Sequence, residues 1–298
     1  MVNTDYTVEK NTTGLIGRFN VMASPCEVLM DTSDDKIAQK IVESVYTEAK
    51  RIEQKFSRYL KTNFMFELNN SLGKTLVLDE ESTLLMDFAF TCYELSDGLF
   101  DVTSGILRRA WKFDGSINVP NQKQIDELLP FIGLNKTTWE KPNFTLPENM
   151  EMDFGGIGKE YAVDRCMQKA MEVHSVKPVP ILLNFGGDLC CNGPRLNGRP
   201  WQVGIESVGG GSSGVVSLNH GALATSGDAR RYLLKDDIRY SHILNPKTGH
   251  SITDAPRSVT VAAQTCVEAG LLSTLAMLQG RDAKTFLSEQ QVSHWIQD

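Results

Sequence analysis

The chain contains no C-x-x-C pair, no apolar run of membrane-spanning length and no cluster of basic residues. Each absence closes a class of function. Its six cysteines stand at 26, 92, 166, 190, 191 and 266, with Cys190 and Cys191 adjacent. That spacing supports neither a zinc site nor a disulfide frame, and four of the six lie among apolar neighbours, so they read as buried free thiols. The lack of a disulfide frame fits a reducing compartment. A transmembrane helix needs roughly 20 apolar residues in a row, and none is expected here. The opening MVNTDYTVEKNTTG has neither a basic n-region nor an apolar h-region. The sequence as it stands therefore reads as cytoplasmic; a leader already removed would make it periplasmic or membrane-anchored. The net charge is −7, with Lys and Arg dispersed, which argues against a nucleic-acid partner. No internal repeat is visible.

What remains is ordinary globular composition, 41% hydrophobic and 22% charged over 298 residues, enough for one large core or two tightly joined lobes. Residues 15–30 alternate as a strand with a break at Pro25. Thr32–Asp35 caps a helix whose apolar face is Ile37, Ile41, Val45, Ala49, Ile52 and Phe56, close to a 3.6-residue period. A second helix covers roughly 80–95, with Leu84, Leu85, Phe88, Cys92 and Leu95 facing inward. The stretch 115–150 reads as mostly loop, with a short helix near Gln122–Leu129. Strand-like runs crowd the second half, and a long helix runs from near Val267 to Leu278, followed by a short one. Helices gathered early and strands gathered late favour α+β over a βαβ series.

The stretch MDFGGIGKEY places Asp153, Gly155, Gly156, Gly158 and Lys159 just before apolar residues at helical spacing, from Ile157 through Tyr161 and Cys166 to Met171. A turn feeding a helix N-terminus leaves unpaired N–H groups at the positive end of the helix dipole, which suits a phosphate. It is not a P-loop: Lys159 is followed by Glu160 rather than Ser or Thr, and the first glycine of that motif would fall on Asp153. A tight turn with a surface lysine would look the same.

Three further stretches echo it. Asn184–Asp188 is a second Gly-Gly-acid turn at a strand end, Ala224–Asp228 a third polar turn, and His242 precedes an N-P-K-T-G turn. Singly each is a β-turn. Together, glycine-lined strand ends carrying acids and a histidine suit a polyphosphate ligand with a metal.

In order, VMASPCEV, FSRYL, SDGLFDVTSG, MDFGGIGKEYAVD, LLNFGGDL, ATSGD, SHILNPKTG and the helix ending STLAMLQG resemble the ApbE family of FAD:protein FMN transferases, from about Phe19 to Gly280. The resemblance implies a single domain over 1–298, a two-lobed, T-fold-like α+β architecture of mixed or antiparallel sheets and packed helices, with FAD between the lobes. It implies Mg²⁺-dependent transfer of FMN from FAD to a Thr or Ser of an acceptor protein, with release of AMP. By the same resemblance Met22, Tyr59, Leu99, Phe100, Asp101, Asp153 and Lys159 meet FAD. Gly156 through its carbonyl, Ser273 and Thr274 hold the metal, and His242 is catalytic. An imidazole titrating near neutrality suits a base beside the attacking hydroxyl.

The chain departs from the family pattern at two points. The family's metal-binding Asp, four residues before the Thr, is Gly270 here, and Glu160 stands where the family usually has Gly. Glu268, the nearest acid on that segment, lies about 200° around an ideal helix from position 270. The alternative reading is therefore a catalytically impaired FAD-binding relative or an FAD pyrophosphatase.

Overall fold

The computed structural model describes residues 5–114, 118–173, 178–228 and 231–298. The first three residues of the expected 115–150 loop thus lie outside the described residues.

Alternation builds the sheet. In ILLNF, Ile181, Leu183 and Phe185 enter the main core. Leu182 points to the other face, beside Cys191, Trp201, Val203, Leu218 and Leu223. Eight such strands form one antiparallel sheet whose spatial order is the chain order: β1 (Tyr6–Asn11), β2 (Gly14–Val21), β3 (Ser24–Met30), β4 (Ile181–Phe185), β5 (Asp188–Cys191), β6 (Gly221–Gly227), β7 (Ser258–Ala263) and β8 (His294–Gln297). The connections carry everything else. Residues 31–180 lie between β3 and β4, the hairpin Trp201–Glu206/Ser212–Leu218 between β5 and β6, and the hairpin Tyr232–Lys235/Ile238–Ser241 between β6 and β7.

Four helices organise the connections: α1 (Asp35–Phe56), α2 (Glu80–Leu95), α3 (Gly158–Val173) and α4 (Cys266–Leu278). Asp34 caps α1 by accepting from the N–H groups of Lys36 and Ile37, an arrangement worth about 1 kcal/mol. The α1 stripe Ile41, Val45, Ile52 and Phe56 is buried, and α1 packs on α3 and β2. α3 packs on α4 and β5, and α4 on β6 and β7. All six cysteines are buried free thiols, as expected. A smaller core of Ile106, Leu107, Trp111, Ile125, Ile132 and Leu233 lies apart, tied by Trp111 Nε1 donating to the Gly249 carbonyl at 2.8 Å.

Two local readings need correction. The break in the first strand region is a turn at Met22 and Ala23, with φ of 54° and 55°. Pro25 sits inside β3 opposite Asn20, before pairing with β4 begins at Cys26, so its missing N–H interrupts no bond to β4. In α2, Leu84 and Leu95 are 63% and 76% exposed, and the buried face is Ser82, Leu85, Met86, Ala89 and Cys92. Leu84 and Leu95 are three turns apart and share the outer flank.

Candidate active site

The MDFGGIGKEY stretch folds as a turn locked by its own groups. The Asp153 carboxylate accepts from Gly155 N–H at 2.9 Å, and the Phe154 carbonyl accepts from Ile157 and Gly158 N–H. Gly156 is exposed at the start of α3, and a β-carbon there would lie 3.1 Å from the Phe100 ring. Asp153 also receives Arg58 Nη1 at 3.1 Å and faces Arg108 Nε at 3.7 Å. Arg108 Nη1 in turn donates to the Tyr59 hydroxyl at 3.1 Å. The structure thus brings Tyr59, Phe100, Asp153 and Gly156 together through two arginines that the sequence reading did not single out. The Arg-Arg pair shortly after SDGLFDVTSG was the available signal for Arg108, and the FSRYL motif the one for Arg58.

The other expected flavin contacts are placed differently. Met22 is half-buried at the β2–β3 turn, its N–H donating to Glu53 at 2.6 Å. Leu99 is half-buried against the main core. Asp101 is buried and accepts from Thr103 N–H, Thr103 Oγ1 and Leu134 N–H, so both its oxygens are engaged within the fold.

Below the turn, charge is buried. Lys159 Nζ lies 2.6 Å from Asp188 Oδ2, and the Asp188 side chain is only 3% exposed. Burial alone would pull the lysine down, but the charges of Asp188 and Glu160 outweigh it and hold the ammonium above its usual range. Burial raises Asp188, opposed by Lys159. Burial and the neighbouring Asp188 charge push Glu160 well above the ordinary carboxylate range. Glu160 Oε2 is buried with no hydrogen-bond partner.

His242 follows the Ile238–Ser241 strand. It is half-buried, with Phe113 edge-on at 6.3 Å. Its Nδ1 lies 3.1 Å from the Arg231 carbonyl. A carbonyl only accepts, so Nδ1 carries the proton and Nε2 keeps its lone pair. Burial, then the Arg231 charge, lowers its pKa to about 4. The imidazole is therefore neutral at pH 7 with its lone pair available, but it is a weaker base than the near-neutral imidazole expected from the sequence, because burial and Arg231 disfavour its charged form.

On the neighbouring helix α4, Ser273 and Thr274 meet Ser226 of β6, with hydroxyl oxygens 2.8 and 2.9 Å apart. Ser273 also donates to the Gly270 carbonyl at 3.0 Å. Glu268 is exposed and accepts from Gln264 N–H at the helix start, so it does not replace a carboxylate at position 270. No group of three His, Cys, Asp or Glu side chains arranged for a metal occurs among the described residues. The hydroxyls of Ser226, Ser273 and Thr274 cluster here, and the unpaired Glu160 oxygen belongs to a side chain packed against Gly270 of α4; oxygen donors of these kinds suit a hard cation such as Mg²⁺.

A cleft of about 1600 Å³ lies over the sheet, and its lining includes Lys159, Gly186, Gly187, Thr225, Gly227 and His242. It brings the lysine, the second Gly-Gly turn, the ATSGD turn and the histidine to one space. Tyr59, Leu99–Asp101 and Asp153 lie outside its lining. The ApbE family model matches residues 22–296. The chain belongs to the ApbE family. An FAD:protein FMN transferase of Haemophilus influenzae is 26% identical over 276 residues, 88% of this chain and 79% of that protein. One from Escherichia coli K12 is 29% identical over 262 residues, 83% and 73% of the two chains. Among solved structures, the ApbE protein of Thermotoga maritima matches with a TM-score of 0.85 at 28% identity, covering 98% of this chain and 94% of its own. The α+β class expected from the sequence is thus the fold of an ApbE protein.

Proposed function

We propose that this chain is an FAD:protein FMN transferase, moving FMN from FAD to a Thr or Ser hydroxyl of an acceptor protein with release of AMP, and using Mg²⁺. The observation that carries the reading is the shared cleft, in which a neutral His242 and a charged Lys159 line one space in a chain of the ApbE family. The acceptor hydroxyl attacks the FMN phosphorus, the anhydride bond to AMP breaks, and the hydroxyl proton passes to His242 Nε2. Lys159, at the positive end of the α3 dipole, sets positive charge against the pyrophosphate. Bound Mg²⁺ would supply further positive charge to the phosphate oxygens and the leaving oxygen. Ser273, Thr274 and the Gly156 carbonyl are the family-matched residues to hold it. Tyr59, exposed beside Arg108, would meet the flavin ring in this reading.

The test is incubation with FAD, Mg²⁺ and a threonine-bearing acceptor peptide, read as covalent FMN on the peptide by mass and as released AMP. A second reading, FAD binding or hydrolysis without transfer, is favoured by Gly270, which offers no side-chain oxygen. AMP and free FMN without labelled peptide would select it.

A further inference from the structure

We propose that Glu160 is the metal-binding carboxylate of this chain, delivered from α3 into the space left open by Gly270 of α4. The inference takes its metal from the function proposed above and goes beyond it by assigning the charged ligand.

The geometry is that of two helices exchanging a side chain. A β-carbon built on Gly270 would lie 2.5 Å from Glu160 Cγ and 3.0 Å from both Cδ and Oε1. No residue other than glycine fits at 270 while Glu160 holds its place, because contacts that short force one side chain to move. The volume that a side chain at 270 would fill is filled by the carboxylate of Glu160. A second contact fixes the register. Asp164, one turn beyond Glu160 on α3, accepts from the N–H groups of Cys266 and Val267 at 2.8 and 3.0 Å. Residues 160 and 164 of α3 thus face residues 270 and 266 of α4, each pair four apart on one helix face.

That face of α4 also carries Thr274, one turn on from Gly270, within the hydroxyl cluster of Ser226 and Ser273. Glu160 is only 9% exposed and its Oε2 has no partner. A buried carboxylate oxygen left unpaired is costly in a native fold, and a cation ligand position accounts for it. A carboxylate beside hydroxyl and carbonyl oxygens selects a hard divalent ion rather than zinc or copper.

The test uses Mn²⁺ as a spectroscopic probe, titrated into the full chain with and without FAD and followed by the loss of its free-ion resonance. Glu160→Gln keeps the shape and removes the charge. We expect Mn²⁺ affinity to fall at least tenfold while the metal-free melting temperature holds or rises. Glu160→Gly should lose Mn²⁺ in the same way, and Glu160→Gly with Gly270→Asp should regain it, because the carboxylate returns from the other helix. Gly270→Asp alone should lower the melting temperature without tightening Mn²⁺. Unchanged Mn²⁺ binding by Glu160→Gln overturns the assignment. So does a double variant no better than Glu160→Gly, or a natural chain that takes no Mn²⁺ at millimolar concentration with FAD. FAD affinity, read in the same samples by flavin fluorescence, reports on the proposed function separately, so failure of one reading is distinguishable from failure of the other.

Discussion

Lys159 Nζ and Asp188 Oδ2, 2.6 Å apart, join the Gly155–Gly156 turn to the Gly186–Gly187 turn beneath one cleft. One turn opens α3 and the other links β4 to β5, so the ion pair fixes the helix start against the middle of the sheet. The arrangement limits what Lys159 can do. Its ammonium sits 2.6 Å from a buried carboxylate, so a ligand in the cleft must share it with Asp188.

Lys159→Ala should weaken FAD binding by about 1.5–3 kcal/mol, the range for a hydrogen bond to a charged group. It should also lower stability by about 1–3 kcal/mol, because the buried Asp188 loses its cation. Adding Asp188→Asn to that variant should recover much of the stability and none of the FAD affinity. Melting temperature and FAD titration on the three variants check this. If the double variant regains FAD binding, Lys159 acts only through Asp188.

The pH response of His242 has a definite sign. Its folded pKa of about 4 lies below the ordinary 6.5, so the folded protein excludes a proton that the unfolded chain binds between those values. The stability it contributes is complete above about 6.5 and is lost as the pH falls through about 4. For catalysis the same shift keeps Nε2 available, so kcat/KM should show no loss near pH 6.5 attributable to this residue. Imidazole C–H resonances followed by NMR should titrate near 4, and Arg231→Gln should move the midpoint upward. His242→Ala should lower turnover roughly 10²- to 10⁴-fold with FAD affinity little changed. Normal turnover in that variant would make His242 a turn residue.

Gly105 is the space beneath Asp153. A β-carbon there would lie 2.6 Å from Asp153 Cβ and 3.0 Å from Arg58 Nη1. Gly105→Ala therefore pushes Asp153 and Arg58 apart and should cost about 1–3 kcal/mol of stability, the range for overpacking. Denaturant unfolding measures it, and a variant as stable as the natural chain would mean the turn relaxes freely.

The long periodic elements were legible in the sequence. The α1 stripe and the approximate bounds of α2 and α4 were readable from their apolar spacing, and the Ile181–Phe185 strand as an apolar run closed by a Gly-Gly turn. The short pieces were not. Helix Phe64–Asn69, the 3-10 helix Val102–Arg109 and the three-stranded sheet of Thr75–Val77, Asn143–Thr145 and Thr138–Glu140 are too brief to show a period, and they are held by tertiary contacts. At the site, Lys159 and His242 were found through their turns. Asp188 was visible only as the end of a motif, because its role comes from a lysine 29 residues earlier in the chain. Gly270 and Glu160 each stood out as a departure from the family pattern. That Glu160 occupies the space a side chain at 270 would need emerges only when α3 is laid against α4.

Tyr59 gives the cleanest separation of binding from folding. It is 72% exposed, its ring carries Arg58 at 6.0 Å, and its hydroxyl accepts from Arg108. So exposed a ring buries little apolar surface, and removing it from the free protein should change stability by no more than about 0.5 kcal/mol. If the isoalloxazine stacks there, Tyr59→Ala should weaken FAD binding by about 0.5–1.5 kcal/mol, the range for an aromatic pair, and Tyr59→Phe should keep most of it. The hydroxyl contributes only by orienting Arg108 toward Asp153, so a Phe variant that binds as poorly as Ala would shift the role from stacking to that arginine. Comparing FAD with AMP as ligands separates the two ends of the molecule. Loss confined to FAD assigns Tyr59 to the flavin ring, and equal loss for both removes it from the flavin end.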